Sequence, residues 1–330
     1  EAIIYNTSHF FGFFSVFNTD AIKDIKLYKG DIPAKFGGRV SSVLDIRQKD
    51  GNSKKLTLNG GIGLISSRLA VEAPLFNKKG SFIVAGRTSY AHLFMPLIED
   101  IEDSKLSFYD INLKTNYEIN KNNRVYLSGY FGRDVFDIAN IIENQYGNTT
   151  GNLRWNHVYN DKLFSNLSLI YSKYDYQIIL DFIELDWIAD IKNYNLKYDF
   201  GYYLNENIKL DFGASGILYN LNPGIVKPTS ENSPINYLKL EKKRAFESGL
   251  YVSAEHKVTD KLTAQYGLRF SRFSRLGGQN MTTYLNDQPV VYNNEIGIYE
   301  EGEEIGETFY KKSESIETFN NFEPRFGLSY

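Results

Sequence analysis

Alternating apolar and polar side chains recur in segment after segment of this chain and constrain its fold more than any other feature. Between residues 111 and 119, Ile111, Leu113 and Tyr117 alternate with Asn112 and Lys114. The same pattern returns at residues 193–200, 208–215 and 262–270. Successive side chains of a β-strand point to opposite faces, so each segment predicts a strand with one apolar and one polar face.

The length of these segments narrows the choice of fold. They run for roughly 9 to 11 residues, the span of a tilted transmembrane strand, whereas strands of soluble proteins are usually nearer 5 or 6. Alternation alone also fits a soluble β-sandwich. The length therefore favours a membrane barrel.

The connections between the segments alternate strictly between short and long. Short polar turns fall at residues 77–80, 120–123, 160–162, 205–207 and 259–261. Long connections fall at residues 89–109, 134–149, 174–189, 218–245 and 272–320. Tight periplasmic turns and large extracellular loops are typical of an outer-membrane β-barrel. We therefore predict an all-β fold, a transmembrane antiparallel β-barrel.

Composition excludes several classes of function. The net charge of −3 argues against electrostatic binding to nucleic acid. With 0 Cys, these residues cannot form disulfides or use thiolate chemistry. The 4 His are isolated, with no spacing typical of a metal site. No catalytic triad or poised carboxylate pair stands out, so we expect neither an enzyme nor a bound cofactor.

The chain changes character near Gly51. Residues 1–52 combine an aromatic segment, one helical turn and short strands, and residues 53–330 contain about twelve predicted barrel strands. No signal peptide is visible, and the last residues read as a strand. We expect an internal piece of a longer protein.

Residues 15–46 resemble a known family. The stretch Pro33-Ala34-Lys35-Phe36-Gly37-Gly38-Arg39 is similar to the C-terminal part of the plug of TonB-dependent outer-membrane receptors, closest to those of the Bacteroidetes type. Residues 67–75 resemble the start of the barrel in that family, although Ala73 stands where Gly is more frequent. The signature of the glycan-importing branch that pairs with a surface lipoprotein is missing.

The resemblance implies an architecture and partners. The complete protein would be a barrel of about 22 strands with a plugged lumen, in the bacterial outer membrane. Residues 1–52 would be the C-terminal part of the plug domain, and residues 53–330 the N-terminal half of the barrel. TonB would bind a segment before Glu1.

The resemblance also suggests a lock between plug and barrel. A family plug arginine pairs with a barrel-wall glutamate, and Arg39 and Glu72 are the corresponding candidates here. A pair in a wet lumen can be broken at modest cost, which suits a plug that moves. Arg39 could instead simply be solvated in its turn.

Five residues are candidate substrate contacts. In the family an aromatic loop such as residues 8–14 can reach the plug apex, where His9, Phe10 and Phe13 would face the substrate. Arg87 and Tyr90 complete the set. The alternative is that these aromatic side chains pack inside the plug.

The leading functional hypothesis is TonB-dependent import of a large, scarce nutrient: a ferric siderophore, haem, a vitamin, an oligosaccharide or a peptide. Three alternatives stay open. They are a signalling receptor of the same family, a structural or interaction subunit of an envelope or secretion assembly, and a soluble β-sandwich binding protein. A surface lipoprotein or envelope complex is a further possible partner.

Overall fold

The computed structural model describes residues 2–30, 32–38, 41–97, 102, 104–139 and 141–330. They form β-strands joined by turns and short 3₁₀ helices. The 3₁₀ helices are Phe10–Gly12, Thr19–Ala21, Phe76–Lys78, Ala91–Leu97, Asp181–Ile183 and Leu285–Asp287. Within the described ranges, no helix has both the length and the apolar character needed to cross a membrane.

The strands are numbered in chain order: β1 (Ser8–His9), β2 (Phe14–Ser15), β3 (Ile22–Tyr28), β4 (Val43–Gln48), β5 (Thr57–Ile62), β6 (Ser66–Leu75), β7 (Gly80–Ser89), β8 (Lys105–Asn120), β9 (Asn123–Ile138), β10 (Ile142–Val158), β11 (Leu163–Leu180), β12 (Leu185–Tyr203), β13 (Ile208–Pro228), β14 (Leu238–Lys239), β15 (Lys243–Lys257), β16 (Thr263–Leu276), β17 (Gln279–Tyr284), β18 (Val290–Asn293), β19 (Ile298–Glu301), β20 (Glu304–Tyr310) and β21 (Ser315–Ser329).

One large antiparallel sheet dominates the molecule. It runs from β5 through β13, then β15, β16 and β21, with each strand beside the next along the chain and the short β14 beside β13. Simple up-and-down connection of long strands is the topology of a transmembrane barrel. The twelve strands along this path confirm the predicted fold class and strand number.

The two faces of the sheet have the opposite character from those of a soluble protein. The face that meets solvent carries apolar side chains, such as Leu196 at 53% exposed and Leu250 at 61%. The other face buries polar side chains, including Asp110, Asn193 and Arg269. An apolar outer band over a polar interior is what a lipid bilayer requires of a barrel wall.

The strands extend well beyond an apolar band. β8 to β13 have 16 to 21 residues each.

The five short turns lie where they were predicted. Two predicted long loops are wrong, however: residues 134–149 and 174–189 continue as paired strands, closing at Ile138–Ile142 and Leu180–Leu185. Above the membrane both faces of a strand meet water, so strict alternation is no longer required and the sequence signal fades.

The first fifty residues form a separate layer against the polar face. Two small hairpins, β1–β2 and β3–β4, flank the 3₁₀ turn Thr19–Ala21. The Asn18 side chain caps this turn by accepting a hydrogen bond from the Asp20 amide at 3.0 Å. A helical turn was predicted here, and the structure has this shorter 3₁₀ turn followed directly by β3.

This N-terminal segment touches the inner face from β6 to β16. Its polar contacts include those of Asp20 with Arg68, Lys49 with Glu72, Asp50 with Lys114, His9 with Asp134, Asn6 with Asn148, Tyr5 with Asn193 and Ala34 with Arg269. The wall face that binds the segment is therefore polar along most of its width. The candidate site lies within this polar contact between the N-terminal segment and the wall.

Candidate functional site

The His9 side chain is buried between the N-terminal segment and the wall, where it is 1% exposed. The Nδ1 atom lies 2.6 Å from Asp134 Oδ2 on β9, and Nε2 lies 3.3 Å from Asp110 Oδ2 on β8. The second contact attracts by charge without the alignment of a hydrogen bond. One imidazole thus bridges two wall carboxylates.

A wall arginine completes this cluster. Arg87 on β7 contacts Asp110 Oδ2 through Nε at 2.7 Å and through Nη2 at 2.6 Å. The same Nη2 donates to the Ser15 carbonyl of the N-terminal segment at 2.7 Å. With protonated His9, two cations face two carboxylates. Such balance is needed because an unpaired buried charge is very costly.

Burial lowers the pKa of His9, but the close polar contacts with Asp110 and Asp134 and the negative charges of these carboxylates outweigh this effect. The pKa is therefore raised above its ordinary value of 6.5. Protonation of His9 and its docking between the two carboxylates stabilise each other.

Aromatic packing fixes the position of the imidazole. The His9 ring stacks on Phe108 with centroids 4.2 Å apart, and Phe10 meets Phe108 edge to face at 4.9 Å. The Phe10 amide donates to Asp134 Oδ1 at 3.0 Å. Asp134 therefore holds both a side chain and the backbone of the segment.

Beyond His9 the chain makes a strained aromatic bend. Phe10 and Phe11 have φ angles of 51° and 53°, in the left-handed region that larger residues rarely adopt, and Gly12 follows at 119°. The bend leaves Phe13 86% exposed and Phe11 62% exposed. The buried contacts of His9 and Phe10 thus hold the bend from which Phe11 and Phe13 project.

A second contact holds the stretch that resembles the family plug. Arg269 on β16 is 2% exposed, and its Nη1 donates to the Ala34 carbonyl at 3.5 Å. A Cβ at Gly37 would overlap the Arg269 guanidinium. The loop therefore approaches the wall so closely that a side chain at position 37 would displace the Arg269 guanidinium.

Of the two residues of the predicted Arg39–Glu72 lock, only Glu72 lies in the described part of the structure. Arg39 lies outside the described residues. Glu72 faces the segment and pairs with Lys49, whose Nζ is 2.8 Å from Oε1. The pairing of Glu72 with Arg39 stays a prediction.

The structure brings three of the five predicted substrate contacts together. His9, Phe10 and Arg87 belong to the cluster described above, in which His9 and Phe10 are buried. Phe13 projects from the bend. The Tyr90 hydroxyl instead donates to the Gly63 carbonyl and lies 3.0 Å from Ser67 Oγ, at the turn between β5 and β6. Substrate contact by these residues stays a prediction.

Asp110, Asp134, Phe108 and Arg269 complete the site and were not anticipated. Alternation could have placed Asp110 on the polar face, because it lies two residues before Asn112. In the described parts of the chain, no three His, Asp or Glu side chains are arranged to hold a metal ion.

Comparison with known proteins bears on this plug-like arrangement. No protein-family model and no curated protein sequence matches the chain. Solved structures do match. A copper transporter, OprC, superposes with a TM-score of 0.65 at 11% identity, covering 96% of this chain and 49% of OprC.

Two further structures agree. The alcaligin outer-membrane receptor FauA of Bordetella pertussis matches with a TM-score of 0.63 at 10% identity, covering 94% of this chain and 47% of FauA. The FrpB iron transporter of Neisseria meningitidis gives 0.61 at 13% identity, covering 96% and 51%. The chain has the fold of half of an outer-membrane receptor.

This chain spans about half the length of the structures it matches. The matched proteins are outer-membrane receptors of the TonB-dependent fold, in agreement with the predicted location in the bacterial outer membrane. At these identities the likeness establishes the architecture, a plugged antiparallel barrel. What the protein carries has to be argued from its own residues.

Proposed function

We propose that this chain is the C-terminal part of the plug and the N-terminal half of the barrel of a TonB-dependent importer in the bacterial outer membrane. Residues 1–52 are the plug part and residues 53–330 the barrel part. The cargo is a large, scarce nutrient. The names of the matched structures, which include copper and iron transporters and a ferric preacinetobactin receptor, support a metal or metal chelate among the candidate cargoes.

The observation that carries the proposal is the character of the contact between segment and wall. It relies on ion pairs and hydrogen bonds such as those of His9, Lys49 and Arg269, while its apolar contacts form two small clusters, one of Ala21, Ala70, Ile83 and Ala85 and one in which Phe10 packs against Ala91 and Phe108. The more exposed of these contacts, such as that of Lys49, can exchange with water at modest cost, whereas release of buried His9 requires its charge to be lost or matched elsewhere. A permanent structural filling would instead be expected to bury a large apolar area.

The exposed bend supports a receptor role at the outer side. Asp110 and Asp134 lie within a few residues of the strand ends opposite the short turn between β8 and β9. His9 therefore docks near the extracellular end of the wall, and Phe11 and Phe13 project beside it. Flat apolar side chains at that end suit first contact with a substrate.

The finer assignment rests on the motif in residues 33–39. It favours the receptor type found in Bacteroidetes, with TonB engaged through a segment before Glu1. A surface lipoprotein as an additional partner stays a prediction from the same resemblance.

Uptake by whole cells tests the proposal. Labelled ferric siderophores, haem, an oligosaccharide and a peptide are offered to strains with and without the full-length gene, each with and without TonB. We expect at least one compound to enter only when both the gene and TonB are present. Equal gene-dependent uptake without TonB would contradict the proposal.

A further inference from the structure

The longest connection of the molecule is a protruding β-ribbon. Residues 279–310, here called the distal ribbon, form two hairpins in succession: β17 pairs with β20, and β18 with β19. Neither hairpin joins the large sheet. All residues of the distal ribbon belong to the described part of the chain.

The base of the distal ribbon is fixed to the wall. Lys243 Nζ on β15 donates to Gln279 Oε1 at 2.9 Å, and Arg244 Nη1 donates to the Lys312 carbonyl at 3.0 Å. The Gly278 amide donates to the Tyr310 carbonyl at 2.7 Å. The ribbon therefore begins from an ordered support.

Large apolar side chains cover the free part of the distal ribbon. Tyr299 is 72% exposed and Phe309 is 64% exposed. The others that are exposed are Leu285, Val290, Val291, Tyr292, Ile296, Ile298 and Ile305. A concentration of exposed apolar side chains of this kind is typical of interaction sites in folded proteins.

Two-stranded hairpins have little stability of their own. An isolated hairpin in water is marginal, and additional strands or packing on one face are needed for independent stability. The side chains of β18 and β19 meet at the Tyr292–Tyr299 ring pair, with centroids 5.0 Å apart, and at the hydrogen bond from Asn293 to Glu300. Burial of its apolar side chains against another molecule would supply the missing stabilisation.

Charge identifies the kind of molecule that fits. The distal ribbon contains seven acidic residues and no lysine, arginine or histidine, whereas the whole chain has a net charge of only −3. The net negative charge of the chain therefore lies in the distal ribbon, and the rest of the chain is net positive. Glu300, Glu301 and Glu307 accept hydrogen bonds from neutral Asn and Tyr side chains of the ribbon, which leaves their charge uncompensated.

We propose that the distal ribbon is a docking arm for a protein partner outside the cell whose surface combines lysine or arginine with apolar side chains. The apolar side chains supply the contact area, and the acidic residues select the partner and speed its association. Docking of a partner on the ribbon does not depend on TonB. The docking proposal and the import proposal can therefore fail independently.

The test uses the full-length protein in lipid nanodiscs and two designed probe peptides. Both are strand-forming and alternate valine or tyrosine with a charged residue, lysine in the first and glutamate in the second. Hydrogen–deuterium exchange of residues 279–310 is followed with and without each peptide. We expect fast exchange in the free protein, protection by the cationic peptide and none by the anionic one.

Charge variants make the test specific. Replacing Glu300, Glu301, Glu303 and Glu304 with Gln should weaken binding of the cationic peptide about tenfold. The matched control changes four exposed acids elsewhere by the same total charge: Asp161→Asn, Asp181→Asn, Glu231→Gln and Glu317→Gln. This control should leave the dissociation constant within about twofold.

Three outcomes would overturn the proposal. Strong protection of the distal ribbon in the free protein would show that the protein's own chain covers it. Equal protection by the anionic peptide would show that the distal ribbon does not select its partner by charge. Equal loss of affinity in the ribbon variant and its control would reduce the effect to overall charge.

Discussion

His9 shows how a single residue can hold the N-terminal segment against the wall through matched charges. The imidazole is enclosed by Asp110, Asp134 and Phe108, so docking requires its charge to be matched on both sides. Arg87 neutralises the remaining carboxylate charge. The same feature that makes the contact strong, mutual neutralisation in a buried place, makes it sensitive to the loss of any one member.

Removing the charge of His9 should loosen the segment. His9→Gln leaves Asp134 without its cation, and loss of one partner of a buried pair costs on the order of 3 kcal/mol. We expect amide exchange of residues 5–17 in the full-length protein to rise about 100-fold. His92→Gln, an exposed histidine, is the matched control and should leave exchange unchanged. Unchanged exchange in His9→Gln would contradict this role.

The docking should also depend on pH. The pKa of His9 is raised in the docked state above 6.5, so docking is fully stabilised below about pH 6.5 and weakens as the pH rises through the raised pKa. After correction for intrinsic rates, exchange of residues 5–17 should increase from pH 6 to pH 9. The His9→Gln variant should have a flat profile, and an equal pH response in both proteins would refute the assignment.

Gly37 tests the second contact. Gly37→Ala places a methyl group in the space of the Arg269 guanidinium, and we expect a loss of about 1–3 kcal/mol in local stability. Exchange of residues 33–38 would report it. Gly30→Ala is the control, because a Cβ there meets no atom within 4 Å. Equal effects of the two variants would show that the space beside Arg269 is unimportant.

The partners of His9 could not have been found from the sequence. Asp134 is 125 positions away, and nothing in the local pattern of residues 8–14 identifies a wall carboxylate. The sequence did identify His9 and Phe10 as residues of interest, because residues 8–14 are rich in aromatic side chains and resemble a loop of the family plug, and it gave Arg87 as a further candidate. It could not indicate that His9 and Phe10 are buried, since burial depends on the wall that folds around them.

At the scale of strands, the lipid bilayer explains both where the sequence was informative and where it was not. Inside the membrane one face meets lipid and the other the lumen, so residues 193–200 alternate strictly and their strand was predicted well. Above it the two faces meet the same solvent. The outer pairing of β9 with β10 therefore left no periodic signal, and the sequence predicted a loop there.

A pair of neighbouring residues on β12 tests which face meets lipid. Leu196→Arg puts a charge on the outer face, and we expect about 2–4 kcal/mol of destabilisation for a site well inside the apolar band. Asn195→Arg, on the polar face, should cost clearly less. Denaturant titration of the full-length barrel in lipid vesicles measures both. A larger loss for Asn195→Arg would invert the assignment of the faces.

The whole molecule presents three surfaces with different chemistry. The outer band is apolar and suits lipid, the inner face is polar and holds the N-terminal segment through ion pairs and hydrogen bonds, and the distal ribbon is apolar and acidic. The proposed import requires the inner face to release the N-terminal segment. We therefore propose that this segment leaves its docked position when a nutrient passes.

A reversible cross-link next to His9 tests this claim most directly. The Asn148 side chain donates to the Asn6 carbonyl at 2.8 Å, so Asn6→Cys with Asn148→Cys joins segment and wall in a chain that has 0 Cys of its own. The control pair, Thr150→Cys with Ser172→Cys, links β10 to β11 within the wall. Whole-cell uptake of the compound identified in the TonB experiment is measured under oxidising and reducing conditions.

We expect oxidation to stop uptake only in the Asn6–Asn148 variant and reduction to restore it. Undiminished uptake while the segment is shown to be cross-linked to the wall would rule out its release during import.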